Sequence, residues 1–338
     1  MKILVTGGAG FIGSNFIRHI LSKYPQYEIV NLDKLTYAGN LENLSDLEKN
    51  SSHRFVRGDV CDHRLVDELS KEKFDVIINF AAETHVDRSL YDPETFVKTN
   101  VLGTQVLLEA VLKHRPQRFI QISTDEVYGS LPAHGSFTEE SPLAPNSPYA
   151  ASKAGADLLI RSYVQTFNLP AIIIRSCNNY GPYQFPEKLI PLFITNAIED
   201  KELPLYGDGL YVRDWIHVDD HCRAIDLVLH EGKTGETYNV SSNTEKTNLE
   251  ITDAILSNLS KPKSLVKYVK DRPAHDRRYA LNSDNIRKEL GWEPEVSFEQ
   301  GMKLTVDWYT KNKKWWQKVK SGEYLKYYEK HYTRREKL

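Results

Sequence analysis

Apolar positions along the first half of the chain switch repeatedly between two periods. Lys2–Thr6 is a short β-branched and apolar run bounded by glycines, which predicts a buried strand. From Phe11 to Leu21 the apolar residues Ile12, Phe16, Ile17, Ile20 and Leu21 fall on one helical face. Glu28–Asp33, Arg54–Val60 and Asp75–Ala82 predict three more strands, the last almost wholly apolar, as in a strand covered on both faces. Pro93–His114 predicts a helix with proline near its start, Arg118–Thr124 a fifth strand, Pro148–Phe167 a long helix and Ala171–Ser176 a sixth strand. This alternation predicts an α/β fold: a doubly wound parallel sheet with right-handed crossovers, binding ligands at the carboxyl ends of its strands.

After Ser176 the alternation breaks. Proline and glycine crowd residues 177–213, as in Asn179-Tyr180-Gly181-Pro182 and Leu203-Pro204-Leu205-Tyr206-Gly207. The expected organisation is a nucleotide-binding part over 1–176 and a smaller, mainly substrate-binding part over 177–338. The two interleave, because Tyr238–Ser242 predicts one more core strand near 236–242.

Thr6-Gly7-Gly8-Ala9-Gly10-Phe11-Ile12-Gly13 gives this sheet a ligand. Gly7, Gly10 and Gly13 follow the first strand and open the first helix. Glycines there permit a tight turn and close helix–strand packing, and the helix start offers free N–H groups to a pyrophosphate. Asp33 follows Gly13 by about 20 residues, at the end of the second strand, where a carboxylate accepts hydrogen bonds from a ribose 2′-hydroxyl. The sheet is therefore read as Rossmann-type and the cofactor as NAD rather than NADP, although Lys34 beside Asp33 works against that preference. Asp59 and Val60, ending the third strand, are placed to meet the adenine edge.

Tyr149 and Lys153 sit one turn apart on one helix face. A nearby ammonium stabilises phenolate, so the pair predicts a tyrosine base of lowered pKa. With the dinucleotide fingerprint and five strands before it, this pair resembles that of the extended short-chain dehydrogenases/reductases, and the likeness runs nearly end to end. The resemblance implies an assisting hydroxyl at Thr124, a structural asparagine at Asn100, and cofactor contacts at Phe11, Ile12, Lys34, Leu35, Thr36, Ala81, Ala82, Thr84, Thr99 and Asn179.

Ser123-Thr124-Asp125-Glu126-Val127-Tyr128-Gly129 narrows the family, because it resembles the signature of the dTDP-glucose 4,6-dehydratases. Simple dehydrogenation needs one base. Dehydration across C5 and C6 needs two more proton transfers, and adjacent acids can divide them if their surroundings set different pKa values. Side chains of successive strand residues point to opposite faces, so both acids reach one sugar only if the chain turns here, with Gly129 near enough to help. The resemblance implies Tyr149 as base at the C4 hydroxyl, Glu126 as base at C5 and Asp125 as acid at C6. It implies substrate contacts at His85, Thr124, Asn178, Lys188, Leu189, Pro204, Tyr206, Arg213, Asn248, Asp271, Arg272 and His275, the last three in a segment where Ala274 replaces a frequent glycine.

A formal net charge of −2 gives no global basic field for nucleic acid, and the basic, aromatic Lys313-Lys314-Trp315-Trp316 run reads as a solvated helix face. Cys61, Cys177 and Cys222 are too few and too scattered for a disulfide framework or a zinc cluster. No apolar run reaches the ~18 residues of a membrane helix, and the glycine motif begins too close to Met1 for a secretion signal, so a cytoplasmic enzyme without membrane attachment is expected. A nucleotide-sugar 4-epimerase would share Thr124, Tyr149 and Lys153 but has no use for Asp125-Glu126. An idle NAD-binding protein has no use for the intact triad. The residues do not separate thymidine from uridine or cytidine, so dTDP rests on the resemblance; GDP-mannose dehydratases fit less well, because they generally use NADP, which Asp33 opposes. The family also implies a homodimer joined as a four-helix interface by Pro93–His114 and Pro148–Phe167.

Overall fold

In the computed structural model, which describes residues 1–271 and 275–321, each apolar run of the first half becomes a strand. These are β1 (Lys2–Thr6), β2 (Glu28–Asp33), β3 (His53–Arg57), β4 (Val76–Asn79), β5 (Arg118–Thr124) and β6 (Ala171–Ser176). Between them lie α1 (Phe11–Lys23), α2 (His63–Ser70), the short α3 (Val86–Tyr91), a helical run from α4 (Pro93–Phe96) to α5 (Gly103–His114), and α6 (Pro148–Phe167). The chain continues through β7 (Asn178–Tyr180), α7 (Leu189–Ile198), β8 (Leu203–Tyr206), β9 (Val212–His217), α8 (Val218–Glu231), β10 (Thr237–Val240), β11 (Glu245–Thr247), α9 (Asn248–Leu259), β12 (Val266–Val269), α10 (Asp284–Leu290), α11 (Phe298–Lys311) and α12 (Lys313–Val319).

The alternation of side chains along each strand builds two apolar layers. Ile3, Val5, Ile120, Ile122, Ile172 and Ile174 join Phe16, Ile17 and Ile20 of α1 on one face. Leu4, Ile77, Phe119 and Ile173 join Leu107 and Val111 of α5 on the other. With both faces covered, a continuous apolar run is the sequence such a strand requires. The seven strands run parallel in the order β10-β6-β5-β4-β1-β2-β3. Strand β10 is the returning strand, pairing Tyr238 with Ile174. The order reverses between β1 and β4, and this reversal opens the cleft described below.

Two predicted strands are shorter than their apolar runs. Pairing of β3 stops at Arg57 and that of β4 at Asn79, so Gly58–Val60 and Phe80–Ala82 leave the ladder and line the cleft instead. The predicted helix 93–114 contains a π-helical turn over Val97–Leu102. Such a turn adds a residue to the helical repeat and re-aims side chains. Here Asn100 points inward, accepting from the Glu83 N–H at 2.9 Å and donating to the Glu83 carbonyl at 3.0 Å and to Ser152 Oγ at 2.8 Å.

A third apolar cluster lies beyond the large sheet, with Phe193, Trp215, Ile251, Tyr309, Trp315 and Trp316 among its members. The run at 313–316 is thus divided: Lys313 and Lys314 are exposed, while both tryptophans are buried. Trp315 Nε1 donates to Asn43 Oδ1 at 2.9 Å, tying α12 to the β2–β3 connection. Helix α8 returns to the first half, where Asp226 accepts from His19 (2.9 Å) and Lys23 (2.8 Å) of α1. No helix of the described residues is long and apolar enough to cross a membrane.

The turn expected after Thr124 is present: Asp125–Tyr128 form a 3-10 turn, and Gly129 follows at φ +84°. A Cβ on Gly129 would lie 2.3 Å from the Ala144 carbonyl oxygen. Gly129→Ala should therefore cost about 2 kcal/mol or more, from backbone strain plus the clash; urea denaturation measures it, and an unchanged midpoint would contradict the reading.

Candidate active site

The cleft at the carboxyl ends of the strands begins at the glycine turn. Gly7 has φ +71°, and a Cβ there would lie 2.6 Å from the Ala81 nitrogen; one on Gly13 would lie 2.6 Å from the Gly7 carbonyl oxygen. Gly10 caps α1 without a side-chain hydrogen bond. The helix therefore presents its first N–H groups to the cleft, a cradle that fits a pyrophosphate and that any larger residue would fill. Asp33 accepts from the Ala9 N–H at 2.9 Å and the Leu35 N–H at 2.8 Å; burial raises its pKa and these donors oppose the rise. Lys34 turns to Asp59, at 2.7 Å.

Phe11, Ile12, Asp33, Lys34, Thr36, Asp59, Val60, Ala81, Ala82, Thr84 and Thr99 line this cleft with the glycines. Leu35 does not line it; held at φ 57°, it contributes its backbone N–H to Asp33.

Deeper in the same cleft lie Thr124, Asp125, Glu126, Tyr149 and Lys153. Ser147 caps α6 by accepting from the Ala150 N–H at 3.1 Å, and Pro148 pre-sets the first turn, so Tyr149 and Lys153 start the helix on one face. Lys153 Nζ donates to the Ile122 carbonyl at 2.6 Å; burial lowers its pKa to about 8, against the pull of Asp157. The Tyr149 phenol is pushed up, by burial first and by the charge of Glu126 next, while Thr124 lowers it through a hydrogen bond. The lowered phenol pKa expected from the Tyr–Lys spacing is therefore not a property of the chain alone, because burial disfavours the phenolate and the carboxylate of Glu126 adds to that.

Thr124 Oγ1 donates to Asp125 Oδ1 at 3.1 Å and accepts from the Glu126 N–H at 3.3 Å. Asp125 is 2% exposed, and its Oδ2 has no hydrogen-bond partner among the described residues. Burial raises its pKa to about 8, with Glu126 adding to the rise and Arg213 opposing it. At neutral pH Asp125 is thus an acid. Asn179, near the inner end, donates to Ser176 Oγ and to the Cys177 carbonyl, and its oxygen meets His221 Nδ1 at 2.8 Å.

A second cavity adjoins the first, and Glu126, Asn178, Glu187 and Lys188 line both. His85, Leu189, Pro204, Tyr206, Arg213, Asn248 and His275 also line the second. Lys188 Nζ donates to the Thr84 carbonyl at 2.6 Å. Arg213 is buried over the Tyr279 ring at 4.3 Å and donates to the carbonyls of Val212 and Asp276, both at 2.8 Å. His85 is buried, which lowers its pKa to about 4 and keeps the ring neutral. Asp271 does not line the wall; it lies 2.6 Å from His275 Nδ1 and holds that ring, stacked 3.6 Å from Tyr211. Arg272 and Ala274 fall outside the described residues. Motif reasoning missed Glu187, Asp87, Gln184 and His221, which also line the walls. No spacing marks them: Gln184 and Glu187 lie in the connection before α7, while Asp87 and His221 sit on α3 and α8, whose docking only packing sets.

The family model described as GDP-mannose 4,6-dehydratase matches residues 4–305. A dTDP-glucose 4,6-dehydratase of Streptomyces niveus is 52% identical over 327 residues, covering 96% of this chain and 97% of the relative. Among solved structures, a dTDP-glucose 4,6-dehydratase from Streptomyces venezuelae with NAD and dTDP bound aligns with a TM-score of 0.92 at 52% identity, over 94% of this chain and 100% of that one. Another from Bacillus anthracis, in complex with NAD, aligns with a TM-score of 0.89 at 53% identity, over 94% and 99%.

The buried acid is directly testable. Carbon-13 NMR of labelled aspartate, compared with Asp125→Asn, should find one carboxyl titrating near pH 8; a value for Asp125 in the ordinary carboxylate range would contradict the assignment.

Proposed function

We infer that this chain, which belongs to the GDP-mannose 4,6-dehydratase family within the extended short-chain dehydrogenases/reductases, converts dTDP-glucose to dTDP-4-keto-6-deoxyglucose and water. It is an NAD-dependent carbon–oxygen lyase. The observation that carries the reading is the meeting of Asp125 and Glu126 with Thr124, Tyr149 and Lys153 in one cleft. A 4-epimerase needs the last three and has no task for the acid pair. Asp33 at the end of β2 supports NAD over a phosphorylated dinucleotide, and Lys34, paired with Asp59, does not offset it.

The glycine turn, Asp33 and the residues around them would hold NAD. When bound, NAD supplies a hydride acceptor, a hydride donor and, in its oxidised form, positive charge. With that charge present, and with Lys153 an ammonium below pH about 8, Tyr149 becomes the base that takes the C4 hydroxyl proton. Thr124 steadies that hydroxyl. The resulting C4 ketone acidifies the C5 proton, which Glu126 removes. Asp125, protonated at neutral pH, gives its proton to the leaving C6 hydroxyl, which departs as water. Hydride return to C6 and a proton to C5 complete the product, so the net change is the loss of one water.

His85, Asn178, Lys188, Leu189, Pro204, Tyr206, Arg213, Asn248 and His275 would hold the nucleotide-sugar, with Asp271 acting through His275 and Arg272 carried by family likeness alone. Residues 1–176 with β10 would serve the cofactor, and 177–338 mainly the substrate. Homodimer formation through the helical run 93–114 and α6 is supported by Val97, Leu102 and Leu158, apolar residues exposed on those helices. Three unpaired cysteines and a nucleotide-linked substrate support a cytoplasmic location.

Incubating purified protein with dTDP-glucose should give a product lighter by one water in mass spectrometry; an unchanged mass with inverted C4 would instead indicate an epimerase. Tyr149→Phe should reduce the first hydride transfer by roughly 100-fold or more. Glu126→Gln should oxidise the sugar and then stall, so that reduced nicotinamide absorbance accumulates; full turnover by Glu126→Gln would remove it as the C5 base. Light scattering at micromolar concentration should give the mass of two chains, and a single-chain mass would refute the dimer.

A further inference from the structure

The connection after β2, residues 34–40, leaves the sheet at Asp33 and is tied down at its base. The Leu35 N–H binds Asp33 Oδ1 at 2.8 Å, the Gly39 N–H binds the Thr36 carbonyl at 3.1 Å, and the Asn40 N–H binds the Ala9 carbonyl at 3.0 Å. Thr36, Ala38 and Gly39 line the cofactor cleft from this side. Gln184, Phe185, Glu187 and Lys188 line the same cleft from the second half of the chain.

Tyr37, between those lining residues, joins the two walls. The Arg88 guanidinium lies 3.8 Å from the centre of its ring, and Phe185 meets the ring edge-on at 5.5 Å. Glu187, ion-paired with Arg88 at 3.0 Å, adds its charge to the burial that holds the Tyr37 hydroxyl protonated. One aromatic ring therefore bridges a first-half connection to a second-half segment, and the two together wall the dinucleotide site.

We propose that Tyr37 is a positioning residue that clasps the cofactor cleft shut and so retains the reduced cofactor between the two hydride transfers. The proposal rests on the dehydratase reading above. An enzyme that exchanges its cofactor every turnover must open at each cycle. An enzyme that lends a hydride from C4 and returns it to C6 has no such need, and loss of the reduced cofactor would leave the sugar oxidised at C4 with no hydride to complete the product. Tyr37 lines neither cavity. It acts by holding the 34–40 and 184–188 segments together, directly through its ring contact with Phe185 and indirectly through Arg88, which packs on its ring and pairs with Glu187.

The test is the rate of NADH release, followed by loss of its protein-enhanced fluorescence when bound NADH is chased with excess NAD. Tyr37→Ala should release NADH about ten-fold faster than the native protein, the scale expected for losing both ring contacts. It should also depend on added NAD for sustained turnover, and regain a native kcat at saturating NAD. Tyr37→Phe, which keeps the ring, should stay within about three-fold of native. If Tyr37→Ala folds poorly by circular dichroism, Tyr37→Leu, which keeps bulk without a π face, must show the same faster release. Native-rate release from a folded Ala or Leu variant, or lost activity that NAD does not restore, would overturn the clasp while leaving the dehydratase reading intact. A native protein that binds neither NADH nor NAD would overturn the dehydratase reading and the clasp with it.

Discussion

Burial of the Asp125 carboxyl beside Glu126 is the interaction on which the proposed chemistry depends. Two carboxyl groups that share a site cannot both ionise freely, and the one denied solvent keeps its proton. Here Asp125 is that group, and Glu126 carries the charge that pushes up both its neighbour and the Tyr149 phenol. The proposed acid and base for the elimination thus stand side by side in sequence, and a 3-10 turn places Asp125 where burial raises its pKa. The turn needs the positive φ of Gly129 and the close approach of Ala144, so loop geometry and proton chemistry are linked.

The same economy appears on the cofactor side. Backbone groups shape it: the glycines leave room, the start of α1 presents N–H groups to the cleft, and Asp33 is held by two main-chain donors. The π-helical turn adds a support from the opposite direction. By turning Asn100 inward it fixes the Glu83 backbone and Ser152, which lies between Tyr149 and Lys153 in α6. The catalytic helix and the β4 connection are therefore held by one buried amide.

Periodicity carried much of the fold in readable form. β1, β2, β5, β6 and α6 occupy the residues their patterns predict, because a strand covered on both faces needs an unbroken apolar run and a helix against a sheet needs a stripe. Strand ends were less legible. The run through Ala82 stays apolar past its last ladder pair at Asn79, and the β3 ladder stops at Arg57 although Val60 follows, because residues that line a cleft can be as apolar as residues that pair. The π turn within 93–114 has no spacing signature, and the tryptophans of 315–316 enter the core only because α12 folds back over Asn43.

Taken alone, the sequence determined the α/β class, the dinucleotide turn, the Tyr–Lys pair and the adjacent acids, because each depends on residue types at short, fixed spacings. Tertiary structure decided the protonation states and the walls of the site. The raised Asp125, the phenol that stays protonated in the chain alone, and the neutral His85 are set first by burial, which only packing produces. The packing of Tyr37 against Arg88 and Phe185, with Arg88 paired to Glu187, joins residues separated by most of the nucleotide-binding half. Desolvation and Coulomb interaction depend on distance in space, and no local pattern along the chain encodes that distance.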